Sequence, residues 1–501
     1  MTLSTFPVTM AVLLFVSLFF LFAGGHIAVL VTDCLQGMFT QIAAVIIVIV
    51  LVCIQLDWGN VVEVLISVGD PDKGMSLLNP LKASNQEGGF TFWFFMISIV
   101  AAWYNIMSNM QSQAYIASAK TAHEYRMGSA LNQWRWQALL LFFMVLVLCA
   151  MVVLHHPDHA ATSVEINKQL DAAVSSQPIE TQDTLRKQLT ITMALSHIMP
   201  VGLAGLFCAI MLAALISTYD SFMHTWGVVF LQDVIMPFRK KRFETKTHLW
   251  LLRLSIFGVA AFSFFYSMFF PNTESLLMYF ALVNSIWLGG SGAVILGGLY
   301  WKRGTNAAAF WTLILGAVMG SICTIVKLGW PKWYDGATFP INAQWLFLIT
   351  IVVSVAVYWI MSLMGNENHN MDKLLNRGKY AIEGEQTNVV HRTKWYEKMF
   401  GIGQEFNFRD RVTAYSIVGW LLMWLGVFIA GMIYGFVAKP GEEAWAKFWY
   451  VYLICLFGLS IVTTLLFTIG GLVDIESLFK SLKTQKHDYD DDGMVIEDSD
   501  K

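Results

Sequence analysis

The sequence is short of charge. Only 13% of its 501 residues are Asp, Glu, Lys or Arg, about half of the roughly 25% that soluble domains carry. The first Lys or Arg is Lys73, and hydrophobic residues make up 56% of the chain. This composition excludes an ordinary soluble domain and indicates a polytopic membrane protein. The net charge of −3 offers no basic surface, so we expect no nucleic-acid partner.

Cysteine is scarce and shows no pattern of a site. The six cysteines fall in apolar stretches without metal-ligand spacing, so we expect packing thiols and no disulfide framework. Isolated histidines near the ends of apolar stretches, His26, His197 and His224, are expected at the membrane interface. His155, His156 and His159 stand close together, but no second group of zinc ligands accompanies them. We find no nucleophile or resident-metal set of an enzyme and predict that the protein is not one.

Apolar runs are the main feature that is present. A membrane-spanning helix needs about 20 apolar residues, and the chain offers about eleven such stretches. They cover residues 7–22, 28–54, 90–110, 136–154, 200–234, 250–270, 275–299, 307–326, 344–364, 412–436 and 447–469. The sequence therefore predicts an all-α membrane protein of about eleven transmembrane helices. Between the fourth and fifth stretches, residues 155–199 are polar and are predicted to include a surface helix.

Lys and Arg in the connections orient the chain. If residue 1 lies outside, the connections 111–135, 235–249, 300–306 and 365–411 and the tail face inward, and they hold most of the 32 Lys and Arg residues. We therefore expect a multi-pass protein of the inner or plasma membrane with a cytoplasmic C-terminus. The predicted divisions are a core over 1–365, a basic and aromatic cytoplasmic loop over 366–411, peripheral helices over 412–470 and an acidic tail over 471–501.

Polar residues cluster inside the apolar stretch 200–234. At 3.6 residues per turn, Ala214, Ser217, Thr218 and Ser221 share one helical face, and Asp220 lies beside Ser217. Hard cations take oxygen ligands, and transporters bind ions near mid-membrane through such oxygens. The alternative is that these hydroxyls bond their own helix backbone or a neighbouring helix. The cluster taken together favours an ion site.

A second carboxylate, Asp33, lies within the stretch 28–54. Two glycines precede it, Gly24 and Gly25, and they predict a tight inward turn. An ionisable residue inside a membrane helix indicates a functional site by default. Because Asp33 and Asp220 are the carboxylates deep within the predicted spans, we expect them to share either a cation or one proton, which would offset the cost of burial. The alternative for Asp220 is that it faces cytoplasmic water.

Three segments together resemble one known family. They are GGHIAVLVTDCLQG at 24–37, GLAGLFCAIMLAALISTYDS at 202–221 and GAVILGGLYWKRGTNAAAFWTLILGAVMG at 292–320. In order and spacing they are similar to motifs of the sodium:solute symporter family, which includes sodium/glucose, sodium/proline and sodium/sialic acid carriers. The resemblance extends to about residue 365. It implies a leucine-transporter-type fold of two inverted five-helix repeats. In that frame the first two stretches are core helices four and five, and the family's helices one to three have no counterpart, so we expect an N-terminally incomplete core.

The resemblance also assigns candidate site residues. It places the eighth-helix half of the family's sodium site at Ala214, through its carbonyl, and at Ser217 and Thr218. A second cation site is implied among Asp33, Ser217, Asp220 and Ser221. Substrate-side contacts are expected from polar residues of the stretch 90–110 and just after it, at Asn105, Asn109 and Gln111, unless these residues bond neighbouring helices instead.

The function that follows is sodium-coupled symport. The expected partners are a small polar organic solute, sodium as the coupling ion and the lipid bilayer, with no other cofactor. The alternatives are a truncated, inactive transporter product and, with less support, a membrane sensor. A sensor would need a signalling domain after residue 470, where about thirty residues follow.

Overall fold

The computed structural model describes most of the chain. The described residues are 5–54, 56–69, 75–82, 91–109, 118–119, 121–239, 243–269, 275–334, 337, 339–365, 368–374, 380, 397, 402 and 406–484. Over these ranges the chain is helical and contains no β-strand. Gln111, Lys120, most of the predicted cytoplasmic loop and the acidic end of the tail lie outside the described residues.

Fourteen α-helices make up the described structure. In chain order they are α1 (Thr5–Ile54), α2 (Trp58–Val68), α3 (Phe92–Ser108), α4 (Ala122–His155), α5 (Ala160–Val174), α6 (Ile179–Ile198), α7 (Val201–Val229), α8 (Thr245–Phe269), α9 (Leu276–Tyr300), α10 (Asn306–Trp333), α11 (Ala343–Met364), α12 (Met371–Leu374), α13 (Phe408–Val437) and α14 (Glu442–Thr484). A π-helical turn, Phe230–Ile235, extends α7.

Nine helices of the described structure are long and apolar enough to cross a membrane, which confirms the all-α membrane class. The number differs from the predicted eleven for two reasons. The first two predicted stretches both lie within α1. The third corresponds to α3, whose 17 residues give a length of about 26 Å, somewhat less than the hydrocarbon thickness of about 30 Å.

The two halves of α1 are separated by a reversal at Gly25. This residue has φ 60° and ψ −161°, a backbone conformation that glycine adopts without a steric penalty. Met10 contacts Tyr219 of α7, and Asp33 contacts Ser217 of the same helix. In an unbroken helix Met10 and Asp33 would be about 34 Å apart. Their contact residues Tyr219 and Ser217 are only two positions apart in α7, so α1 must fold back. The predicted turn is therefore present, and its two arms, residues 5–24 and 26–54, both flank α7.

The segment between α4 and α7 forms a helical hairpin of α5 and α6, which confirms the predicted surface helix. Ile166 and Leu170 of α5 and Ala194 of α6 are fully buried and pack against the end of α4. Across the hairpin, Arg186 donates hydrogen bonds to Asp171 at 3.0 Å and to Asn167 at 2.8 Å. Apolar burial against α4 thus fixes the hairpin to the membrane-spanning part.

Besides the packing of the 5–24 arm of α1 with α7 and α8, two groups of helices carry buried core residues. In the first, the 26–54 arm of α1 packs with α4, α7 and α14 around buried aliphatic and aromatic side chains that include Ile47, Phe142 and Leu456. In the second, α9, α10 and α11 pack with α3. Gly290 of α9 and Gly316 of α10 meet there backbone to backbone, the close approach that small residues permit between membrane helices. Ser217 and Ser221 of α7 contact the 26–54 arm of α1, which belongs to the first group.

Candidate functional site

Two hydroxyls of α7 form hydrogen bonds with the backbone of their own helix. The Thr218 hydroxyl donates to the Ala214 carbonyl at 2.7 Å, and the Ser221 hydroxyl lies 2.8 Å from the Ser217 carbonyl. These are bonds to the carbonyl four residues earlier, which Ser and Thr side chains commonly make within helices. The backbone bond satisfies the Thr218 hydrogen and leaves the lone pairs of its oxygen available.

Asp33 connects α1 to this face of α7. Ser217 donates its hydroxyl to Oδ1 of Asp33 at 2.7 Å, and the Ser221 hydroxyl reaches Oδ2 at 3.1 Å. Ser217 and Ser221 are one turn apart, so one carboxylate can engage both of them. The structure therefore brings together Asp33, Ser217 and Ser221.

The atoms that meet in this group are oxygens, the ligand type that small hard cations take. Two carboxylate oxygens, two hydroxyl oxygens and the Ser217 carbonyl are linked by three hydrogen-bond contacts, two of which the Ser221 hydroxyl makes. Hydroxyl donors stabilise an ionised carboxylate but leave its charge in place. In the low dielectric of the membrane that negative charge attracts a small hard cation, for which oxygen is the preferred ligand.

Asp220 occupies a different position. Its side chain is fully buried, and neither carboxylate oxygen has a hydrogen-bond partner among the described residues. It does not face water, so that alternative does not apply. The Ser17 hydroxyl on the 5–24 arm of α1 is also buried and lies close to the Asp220 carboxylate, but the two groups do not meet in good hydrogen-bond geometry. Asp220 thus faces away from the two hydroxyls, although it stays within electrostatic range of Asp33.

Ser17 was not among the residues selected from the sequence. Its only local sign is that it is one hydroxyl in a long apolar run, and such a residue usually bonds its own helix. Its position opposite Asp220 depends on the reversal at Gly25, which no local pattern fixes.

Two of the three histidines that were expected at the interface, His26 and His224, contact each other, whereas His197 is exposed. His26 and His224 stack with ring centroids 4.5 Å apart and planes 17° apart, and His224 is only 8% exposed. His26 Nε2 lies 2.6 Å from the Ser118 hydroxyl. The two rings meet because His26 follows the reversal in α1 directly and His224 lies one turn after Asp220 in the adjacent helix. They extend the polar cluster toward the turn.

The residues assigned to the first sodium site lie at the edge of this cluster. Ala214 and Thr218 are exposed on α7, whereas Ser217 is half-buried. The described residues contain no cluster of three or more His, Cys, Asp or Glu side chains that could hold a metal ion. His155, His156 and His159 therefore form no such cluster in the described structure.

The predicted substrate-side residues are only partly described. Asn109 donates its side-chain amide to the Asn105 carbonyl oxygen at 3.1 Å, a bond between successive turns at the end of α3. The bond lies within one helix end, so it is not the contact with a neighbouring helix that was the alternative, and the substrate-side assignment of these half-buried residues stays a prediction. Gln111 lies outside the described residues.

The sequence was compared with families and proteins that are already known. The profile named "Sodium:solute symporter family" matches residues 2–316. The chain is 25% identical over 286 residues to sodium/myo-inositol cotransporter 2 of Oryctolagus cuniculus, covering 54% of this chain and 40% of that protein. It is 29% identical over 138 residues to sodium/glucose cotransporter 4 of Homo sapiens, covering 27% and 20%.

A solved structure of a Na⁺-coupled sialic acid symporter, in a substrate-bound outward-open state, is 17% identical, with a TM-score of 0.48 over 72% of this chain and 68% of that one. The chain spans 40% of the length of the rabbit relative and less of the human one. The profile match covers well over half of the chain, from before the reversal in α1 to the middle of α10. The chain therefore belongs to the sodium:solute symporter family.

Proposed function

We propose that the protein is a sodium-coupled symporter of a small polar organic solute. The observation that carries the proposal is the Asp33, Ser217 and Ser221 group, which joins two membrane helices through oxygen atoms alone. A cation held there would bind α1 and α7 together. Its loss would remove that link and the positive charge that the cation brings to the carboxylate, which is costly in the membrane.

Two cation positions follow from the arrangement. The first uses the Ala214 carbonyl and the hydroxyls of Ser217 and Thr218, on the part of α7 whose surface is open. The second uses Asp33 with Ser217 and Ser221, and Asp220 contributes its charge from the adjacent side. Ser217 belongs to both positions, so the two ions would be coupled through one hydroxyl.

Sodium would drive the conformational change by binding one conformation of the protein more tightly than the other. A ligand shifts a conformational equilibrium only as far as it binds one state better than the other. Oxygens on α1 and α7 that converge in one state and separate in another provide that difference. High external sodium would favour the converged state with solute bound, and low cytoplasmic sodium would favour separation and release.

We also propose an orientation of the chain in the membrane from the positions of its Lys and Arg residues. Basic residues such as Arg239, Lys302 and Arg303 lie in the connections that we place in the cytoplasm, together with the C-terminus, in the inner or plasma membrane. The hairpin of α5 and α6 then lies outside.

The test is uptake by the full chain in proteoliposomes under an inward sodium gradient. The panel of solutes includes myo-inositol, glucose, sialic acid and proline, each measured against an equal potassium gradient. Sodium-dependent accumulation of one solute supports the proposal. Sodium binding without accumulation of any solute would favour an inactive product, and absence of sodium binding would refute the coupling ion.

A further inference from the structure

Asp220 is the buried carboxylate whose oxygens take no part in the Asp33 group. Its side chain is fully buried in α7, and neither oxygen has a hydrogen-bond partner among the described residues. It also makes no salt bridge within the part of the chain that the structure describes. An ionised carboxylate in such a place is costly, so we expect a ligand that offsets its charge there.

The Ser17 hydroxyl approaches Asp220 from the 5–24 arm of α1. Serine hydroxyls within helices commonly bond a carbonyl of their own helix, but the Ser17 hydroxyl, which is fully buried, has no such bond. It lies close to the Asp220 carboxylate without meeting it in hydrogen-bond geometry. Oxygen-bearing side chains from two elements thus face one another, and neither is bonded to a described group.

Apolar side chains flank this pair. Leu14 and Leu21 lie about one turn before and after Ser17 on the same arm, and Met223 lies about one turn after Asp220 on α7. All three belong to one buried cluster, which α8 completes. Residues three or four apart share a helix face, so these side chains shield the two polar groups from bulk water. A charge in such a low-dielectric position interacts more strongly than it does in water.

The relation between the two groups favours a shared cation over a direct hydrogen bond. A hydroxyl and a carboxylate that served only each other would meet at about 2.5–3.0 Å with good alignment. A cation between them takes lone pairs from both oxygens, so the hydroxyl need not point at the carboxylate. Small hard cations take such oxygen ligands. One carboxylate balances one monovalent cation, whereas a divalent cation would leave a positive charge uncompensated in the membrane.

We propose that Ser17 and Asp220 form a further binding position for a monovalent cation, between the 5–24 arm of α1 and α7. The position is separate from the Asp33 group, which lies on a different face of α7 and uses the 26–54 arm. Each buried carboxylate then has its own cation, and one ion joins each arm of α1 to α7. This inference rests on the proposed function and adds one sodium ion to those that the chain binds.

The experiment counts the sodium ions bound by the purified full chain in detergent, by equilibrium dialysis with radioactive sodium, while choline chloride keeps the ionic strength constant. The decisive variant is Ser17→Ala, because it removes an oxygen ligand without changing any charge. We expect it to weaken the binding of one ion by about tenfold or more, since a buried partner is lost. Asp220→Asn should lower the number of bound ions by one. If Asp220→Asn does not fold, Ser17→Ala decides alone.

The matched control is Ser354→Ala in α11. Like Ser17, Ser354 is fully buried, and its hydroxyl has no hydrogen-bond partner among the described residues. It lies in the group of α9, α10 and α11, away from both carboxylates, so its removal should leave every bound sodium ion in place. An equal loss of sodium binding in Ser17→Ala and Ser354→Ala would indicate a general effect of removing a buried hydroxyl, and it would overturn the inference.

Double variants separate this position from the Asp33 group. Ser17→Ala should keep its full effect in the Asp33→Asn chain and have no further effect in the Asp220→Asn chain. If Asp220 holds a proton instead of a cation, neither Ser17→Ala nor Asp220→Asn will change sodium binding, and the inference is wrong. Sodium binding that still depends on Asp33 would then leave the proposed function intact. If the natural chain binds no sodium, the proposed function and the inference both fail.

Discussion

Ser217 of α7 donates its hydroxyl to Asp33 of α1 across a distance of 2.7 Å, although 184 positions of sequence separate them. Ser221, one turn further along α7, reaches the other oxygen of the same carboxylate. The two helices are thus joined by a charged acceptor and two neutral donors inside the membrane-spanning part. The predictions below follow from this contact and from the packing around it.

Neutralising Asp33 should weaken sodium binding. Asp33→Asn keeps the size of the side chain but removes the charge that attracts the cation, and we expect roughly a tenfold or greater loss of affinity, equal to at least about 1.4 kcal/mol. Sodium-dependent thermal stabilisation of the purified chain measures it. Asp183→Asn removes a charge from an exposed pair with Lys187 and serves as the control. An unchanged sodium affinity in Asp33→Asn would exclude the second cation site.

Removing both hydroxyls of the first sodium site should abolish sodium-driven uptake. In the double variant Ser217→Ala and Thr218→Ala, the site loses two oxygen ligands and Asp33 loses one donor. The matched control is Thr190→Ala with Ser196→Ala on α6, where both hydroxyls also bond their own helix backbone. Uptake in proteoliposomes gives the comparison. Normal sodium activation of the α7 double variant would refute the assignment.

The contact between α9 and α10 should not tolerate a larger residue. A Cβ atom on Gly290 would lie 2.5 Å from the Thr312 carbonyl and 3.0 Å from Leu313 Cα, so Gly290→Val must push two backbones apart. We expect a loss of about 1–3 kcal/mol of stability, as for other overpacked cores. Gly298 of the same helix has open space around it, and Gly298→Ala should be neutral or slightly stabilising. Thermal unfolding in detergent compares the two, and equal effects would contradict the packing.

The charge-based orientation predicts which residues are accessible from each side. A single cysteine introduced at Lys302 in a chain free of other cysteines should react with a membrane-impermeant thiol reagent only from the cytoplasm. A cysteine at Lys168, which is exposed on α5, should react only from outside. If both cysteines reacted from the same side, the predicted topology would be wrong, and the distribution of Lys and Arg would not explain the orientation of the chain.

Much of the fold could be predicted because hydrophobic length is a local property. A helix must be about 20 apolar residues long to cross the membrane, whatever lies beside it. The stretch 412–436 therefore matches α13, and 344–364 matches α11. The hydroxyl face of α7 could also be predicted, because Ser217 and Ser221 differ by only about 40° around a helix of 3.6 residues per turn.

The tertiary structure alone decided which neighbour each polar group meets. Asp220 lies about 100° around α7 from Ser221, enough for different elements to cover the two. The 26–54 arm of α1 places Asp33 against Ser217 and Ser221, and the 5–24 arm places Ser17 on the side of Asp220. That separation and the stacking of His26 on His224 depend on the reversal at Gly25 and on helix packing. Side chains far apart in the chain meet only when burial of apolar faces fixes the helices against one another, so no local sequence pattern contains these pairs.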